Sequence, residues 1–175
     1  DKAPQPVQTP ASEPSSVQQP VLYMKVTEAL RAPAPQNITE LSKVYNIAEF
    51  PNLLLLAVDL SPLDTVKWVT KLYEQRHRNF NEVDPQSGNT ALHVAVASNR
   101  VAIVRHLMQL LEVDDTIPNK DGITAPELAS NGEMEEVLQN AQTKFAEKTA
   151  VRLKQAFKQR DLRDLEHIYA NPRVS

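Results

Sequence analysis

Two short apolar helices joined by a tight turn set the strongest limit on what this chain can fold into. Residues 88–108 read GNTALHVAVASNRVAIVRHLM. Leu92, Ala95 and Val96 fall on one helical stripe, and Val101, Val104, Leu107 and Met108 on a second. Ala97-Ser98-Asn99-Arg100 separates the two, and Asn99 tolerates the left-handed conformation that reverses a chain between helices. Isolated helices shorter than ~12–15 residues are marginal in water. Such a unit persists only if similar units stack on it and share a core.

A stacking unit predicts copies. Residues Thr90-Ala91-Leu92-His93-Val94-Ala95 behind Gly88 resemble the ankyrin signature Thr-Pro-Leu-His-x-Ala after a glycine turn. Ala91 stands where proline is usual, and alanine keeps the first turn helical. Gly122, Thr124 and Ala129 follow Gly88, Thr90 and Ala95 at a constant offset of 34, close to the ankyrin period of about 33. This second copy has Glu127 in place of the histidine, and its proline, Pro126, stands one position late. Its second helix is expected over residues 133–140.

The rest of the chain reads as further pairs. Residues 21–31 and 37–45 form one, separated by Pro33 and Pro35, with Asn37 as the expected N-cap and Glu40 three residues on. Residues 53–59 and 63–73 form another; Ala57, Val66 and Val69 precede Ala95, Val104 and Leu107 by 38. Trp68 is expected at the core edge. In the loop after this pair, Arg76-His77-Arg78-Asn79-Phe80-Asn81 could contact a phosphate or an acidic peptide, but reads better as a loop with Phe80 tucked under the next repeat. Residues 141–157 and 162–169 close the series around the turn Gln159-Arg160-Asp161. The expected fold is therefore all-α, an ankyrin-repeat solenoid of about five helix pairs, two with the glycine turn. Residues 1–20, rich in Pro and Gln, read as a disordered tail, and residues 21–175 as the repeat domain of a longer protein.

Composition excludes several functions. Zero cysteines removes thiol catalysis, disulfides and thiolate metal sites, and a net charge of −3 implies no broad basic surface for nucleic acid. No apolar run approaches the roughly 20 residues of a membrane span. The four histidines have no zinc-site spacing, and three glycines make no phosphate loop. No enzyme, catalytic residue, metal or cofactor is expected. His93 reads as architectural, and Glu133, Glu135 and Glu136 as a solvated face.

Repeat arrays bind through turn tips and exposed inner-helix positions on a concave side. The candidate protein-binding residues are Glu82, Asp84 and Ser87 at one tip, Val94 and Ala97 on an inner helix, and Asn119, Lys120 and Asp121 at the next tip. Gly88, Thr90, Leu92, His93, Ala95, Gly122, Thr124 and Ala129 are the structural signature.

One closer resemblance goes beyond generic repeats. The opening helix LYMKVTEALR, the stretch GNTALH and the closing blocks FAEKTA, AFKQRDL and NPR are similar to the N-terminal region of fungal oxysterol-binding protein homologues that carry ankyrin repeats. The resemblance covers residues 21–175 and implies a further glycine-turn repeat after Ser175. It implies a lipid-transfer protein in which a pleckstrin-homology domain, an endoplasmic-reticulum receptor motif and a sterol- and phosphoinositide-exchanging barrel follow the repeats. The barrel signature Glu-Gln-Val-Ser-His-His-Pro-Pro is absent here, so sterol and phosphoinositide are implied only through other domains. The repeats are implied to be a cytoplasmic targeting module, peripheral at membrane contacts such as the nucleus–vacuole junction, Golgi or endoplasmic reticulum. There they would hold the cytosolic segment of a membrane-anchored protein, without inserting into the bilayer. The alternative is a generic ankyrin scaffold or inhibitor of an unrelated cytosolic protein.

Overall fold

The computed structural model describes residues 18–171, 173 and 174. Most of the expected tail, residues 1–17, lies outside them. Helix α1 (Gln18–Arg31) starts three residues ahead of the expected Val21 and holds Pro20 in its first turn, where its missing amide has no helical partner to lose. It packs on α2 (Gln36–Val44). After a 3₁₀ turn, Ile47–Glu49, come α3 (Leu53–Leu60) and α4 (Leu63–Arg76), then α5 (Ala91–Ala97) and α6 (Val101–Leu107). A second 3₁₀ turn, Pro126–Leu128, precedes α7 (Gly132–Gln159) and α8 (Leu162–Tyr169).

The helices stack in two rows. α1, α3, α5 and the Pro126–Leu128 turn form the inner row, while α4, α6 and α7 form the outer one. α3 lies at the centre, against α1, α4 and α5. This is why its sequence, LLLLAVDL, is apolar all round: Leu53, Leu54, Leu55, Ala57 and Val58 are all buried. One core runs through the pairs, from Leu30 and Ile38 through Leu53, Leu54, Leu92 and Leu107 to Met134. The all-α ankyrin solenoid is as the sequence predicts, and Asn99 takes the left-handed turn at φ 53°.

Three local expectations change. Asn37 does not cap α2; the helix starts one residue earlier behind Pro35, whose carbonyl takes the Thr39 hydroxyl at 2.7 Å, and Glu40 pairs with Lys43 instead. The inner helix expected after Thr124 is only the Pro126–Leu128 turn. In the preceding pair the second helix begins 11 residues after Thr90, at Val101, whereas α7 begins 8 residues after Thr124. The missing three residues are about one helical turn. Finally, the second helix of the fourth pair and the first of the fifth are one 28-residue helix. Asn131 starts it by accepting the Met134 amide at 2.9 Å, and from Glu133 to Gln159 the sequence has no Gly or Pro to stop it.

The loop between α4 and α5 is tied down by Arg78. Its guanidinium donates to the carbonyls of Ala48 and Phe50 at 2.6 and 2.9 Å, pairs with Glu82 and covers the Tyr73 ring. Phe80 is buried edge-on against Tyr73, so Phe80 and Arg78 of the basic-aromatic cluster are spent on the fold, while Arg76, His77 and Asn79 stay exposed.

The two turn glycines have unequal duties. Gly88 (φ 74°) and Gly122 (φ 77°) both adopt the left-handed region. A Cβ on Gly88 would sit 2.9 Å from the Lys120 amide nitrogen, whereas one on Gly122 would meet nothing within 4 Å. Gly88→Ala should therefore destabilise the fold by about 2–3 kcal/mol and Gly122→Ala by about 1 kcal/mol, as read by urea unfolding of the two variants.

Candidate functional site

The site is built on the caps that start each inner helix. Thr90 and His93 form a reciprocal box: Thr90 Oγ1 accepts from the His93 amide, and the Thr90 amide donates to His93 Nδ1 at 3.1 Å. Since Nδ1 accepts, Nε2 carries the proton and donates to the Ile123 carbonyl of the next repeat at 3.0 Å. His93 is buried and spent on this bridge. In the degenerate repeat Glu127 takes over half of the task. Its Oε2 accepts from the Thr124 amide at 2.7 Å and the Thr124 hydroxyl at 2.6 Å. These bonds hold its carboxyl below the usual glutamate range.

Each tip is a short loop closed by an isolated antiparallel bridge, Val83 with Thr90 and Pro118 with Thr124. Asp84 Oδ2 accepts from the Ser87 amide and hydroxyl at 2.8 and 2.7 Å, which lowers its pKa from the ordinary value. The tips then dock on each other. The Lys120 amide donates to the Ser87 carbonyl at 3.0 Å, Lys120 Nζ reaches the Pro85 carbonyl at 2.5 Å, and Asn119 donates to the Asn89 side chain at 3.0 Å. The structure thus brings Asp84, Ser87, Asn119 and Lys120 together at joined tips. Asp121 is exposed beside them.

Asp84, Ser87 and Val94 also line a groove of about 360 Å³ with Tyr23, Leu55, Leu56, Asp59 and Asn89. Its floor is apolar and its rim carries two carboxylates. Two candidates fall elsewhere. Glu82 accepts from the Tyr73 hydroxyl at 2.8 Å and pairs with Arg78, so it belongs to the α4 loop anchor. Ala97 is exposed at the end of α5 and does not line the groove. The groove residues absent from the expectation include Tyr23, Leu55, Leu56, Asp59 and Asn89. One signal for them was present: Leu56 precedes Val94 by 38, the offset that relates Ala57 to Ala95. On the outer side, a larger groove of about 480 Å³ lies between α6 and α7, where Glu133, Glu136, Arg105 and Lys144 line an apolar base of Met108, Val137 and Phe145.

Chemistry has little to work with. His77 closes α4 in the left-handed conformation, and His106 Nε2 meets the Thr70 hydroxyl at 2.9 Å. Among the described residues no three His, Asp or Glu side chains gather as a metal site.

A stacked, capped array with a concave groove is an ankyrin-repeat domain, a protein-interaction fold and not an enzyme family. The chain is homologous to the oxysterol-binding protein homologues of yeast. It is 28% identical over 174 residues to Saccharomyces cerevisiae oxysterol-binding protein homolog 1, covering 90% of this chain and 15% of that protein. It is 26% identical over 144 residues to homolog 2, covering 81% of this chain and 11% of that one. The chain therefore spans less than a sixth of either relative. The crystal structure of the Osh1 ANK domain from Kluyveromyces lactis superposes with a TM-score of 0.75 at 25% identity, over 97% of this chain and 70% of that one. The Saccharomyces cerevisiae Osh1 ANK structure with Nvj1 gives 0.72 at 26% identity, over 89% and 68%. No family model matches the chain.

The two caps differ in a way that pH can read. Glu127 has its pKa lowered in the folded state, so its stabilisation is present above the unfolded glutamate pKa and is lost as pH falls through the lower folded value. A carboxyl-detected NMR titration should place Glu127 below free glutamate, and Glu127→Gln should remove that part of the acid dependence of unfolding. His93→Ala should cost about 2–4 kcal/mol, since it removes a cap and strands the Ile123 carbonyl; thermal unfolding would check this.

Proposed function

We propose that this chain is the docking module of a lipid-transfer protein, which it tethers at membrane contacts by holding a short cytosolic segment of a membrane-anchored protein. The observation that carries this reading is the likeness to the Osh1 ANK domain in its structure with Nvj1. In this reading residues 21–175 form the module. Sterol and phosphoinositide exchange would belong to other parts of the full protein, and the module would sit on the cytoplasmic side of a contact such as the nucleus–vacuole junction.

The groove between α1, α3, α5 and the joined tips suits such a segment. Leu55, Leu56, Val94 and Tyr23 offer apolar contact for one face of a peptide or helix. Asp59 and Asp84 on the rim, with Asp121 beyond them, favour basic residues on its flanks. The tips hold their geometry through the Asp84–Ser87 and Lys120–Pro85 bonds before any partner arrives, so little ordering remains to oppose binding.

The test is a pull-down from detergent-solubilised membranes with the 175-residue chain as bait, followed by binding measurements on the recovered segment. Recovery of an integral membrane protein is expected. Asp59→Lys and Asp121→Lys, both exposed, should together weaken its binding at least about tenfold while leaving the unfolding temperature unchanged. Recovery of soluble proteins alone would favour a generic ankyrin scaffold or inhibitor. Unchanged affinity in the double variant would exclude the concave groove.

A further inference from the structure

We infer that the α7–α8 hairpin tip is a second, separate contact surface, built for the headgroup region of an anionic bilayer. The inference stands on the tip's own residues and does not depend on the partner reading above. The whole chain is acidic, at −3, which argues against membrane contact if charge is averaged. The fold does not average it. Residues 154–163 carry Lys154, Lys158, Arg160 and Arg163 against the single acid Asp161. All four cations are exposed, and none forms an ion pair among the described residues. Asp161 is occupied as the N-cap of α8, accepting from the Arg163 and Asp164 amides at 3.1 Å. The next acids are Asp164, which pairs with Arg152, and Glu166, a turn further along α8.

Apolar side chains stand among these cations. Phe157 is 59% and Leu162 72% exposed, one on each side of the turn, and Val151 is 66% exposed two turns back along α7. The buried side of this half of α7, Phe145 and Ala156 with the half-buried Arg152, is turned to α8, where Arg152 pairs with Asp164. Lys154 and Lys158 share the opposite face, with Phe157 on its flank. α7 spans about 42 Å, and its helix contacts are with α6 and α8. Apolar residues at a helix turn, ringed by flexible lysine and arginine side chains, suit a fluid surface that deforms around them. Phe157 and Leu162 would enter the interface while the cations meet lipid phosphates. A shaped protein partner would call for a recess at the turn itself; the grooves of about 480 and 360 Å³ lie elsewhere, and the one of about 320 Å³ beside Val151 and Gln155 is not lined by Phe157 or Leu162.

The experiment is vesicle co-sedimentation of the 175-residue chain. Neutral phosphatidylcholine vesicles are compared with vesicles holding about a third phosphatidylserine. Binding to the anionic vesicles is expected, at least about fivefold above the neutral ones, and falling as salt is raised from about 0.1 to about 0.5 M. Phe157→Ser with Leu162→Ser, and separately Lys154→Glu with Lys158→Glu, should each cut binding by about fivefold or more without moving the unfolding temperature. As an independent readout, Phe157→Trp should shift its emission to the blue on anionic vesicles only. Equal binding to both vesicles, or wild-type binding by both folded double variants, would overturn the inference. So would binding to soluble polyglutamate but not to vesicles, which would make the tip a site for an acidic protein.

Discussion

Side chains that capture the backbone carbonyls of a neighbouring pair hold this array together. A helix end leaves four carbonyls without an internal partner, and in a stack those ends are partly covered by the next pair. Arg100, in the turn between α5 and α6, donates to the carbonyls of Val58 and Ser61 at the end of α3. Arg78 does the same for Ala48 and Phe50, and His93 for Ile123. Asn81 binds the Glu112 carbonyl, and Asn171 the Leu111 carbonyl. At the far end Arg173 lies over the Phe145 ring, donates to the Val113 carbonyl and faces Asp115 at 3.3 Å. Hydrogen bonds from a guanidinium are stronger than neutral ones, and each of these also fixes the spacing between two pairs. The apolar core alone would let short helices slide; these bonds set their register.

This division explains what could be read in advance. The helices, their turns and the buried stripes follow from apolar spacing, and Gly88, Thr90 and His93 announce their own geometry. The carbonyl captures do not. Arg78 and Arg100 look like solvent-facing residues of loops, and nothing local shows that a carbonyl from a residue about 30 or 40 positions earlier will lie in reach. The same limit applies to the groove. Asp84, Ser87 and Val94 could be placed on it from repeat geometry, but Tyr23 joins it only because α1 packs on α3. Glu82 stands near Asp84 in sequence, yet it turns away from the tip because Tyr73 and Arg78 offer a partner set that a surface loop does not.

The degenerate repeat shows how a small change in spacing redirects a solenoid. With α7 starting three residues early, the inner row ends in a 3₁₀ turn at Pro126–Leu128. Glu127 still caps that turn, but its carboxylate has no proton to give to a carbonyl of a following repeat, as His93 does through Nε2. The bridge to a next tip is thus lost at the same step as the inner helix. The outer row is released from the repeat register there, and a helix free of Gly and Pro runs on for 28 residues. α8 then packs against that extension rather than against an inner helix.

The consequence is a chain with two unlike ends of charge. The concave groove, bounded by the inner row and the tips, has carboxylates of Asp59 and Asp84 on its rim. The hairpin that the lost repeat releases carries lysines and arginines. Opposite charges on separate surfaces of one body orient it in an electric field without any contact. An anionic surface attracts the hairpin and repels the groove, so the two surfaces take partners of opposite charge. The long helix that carries the hairpin begins where the shortened repeat ends the inner row, so repeat decay and the new helix are one structural event.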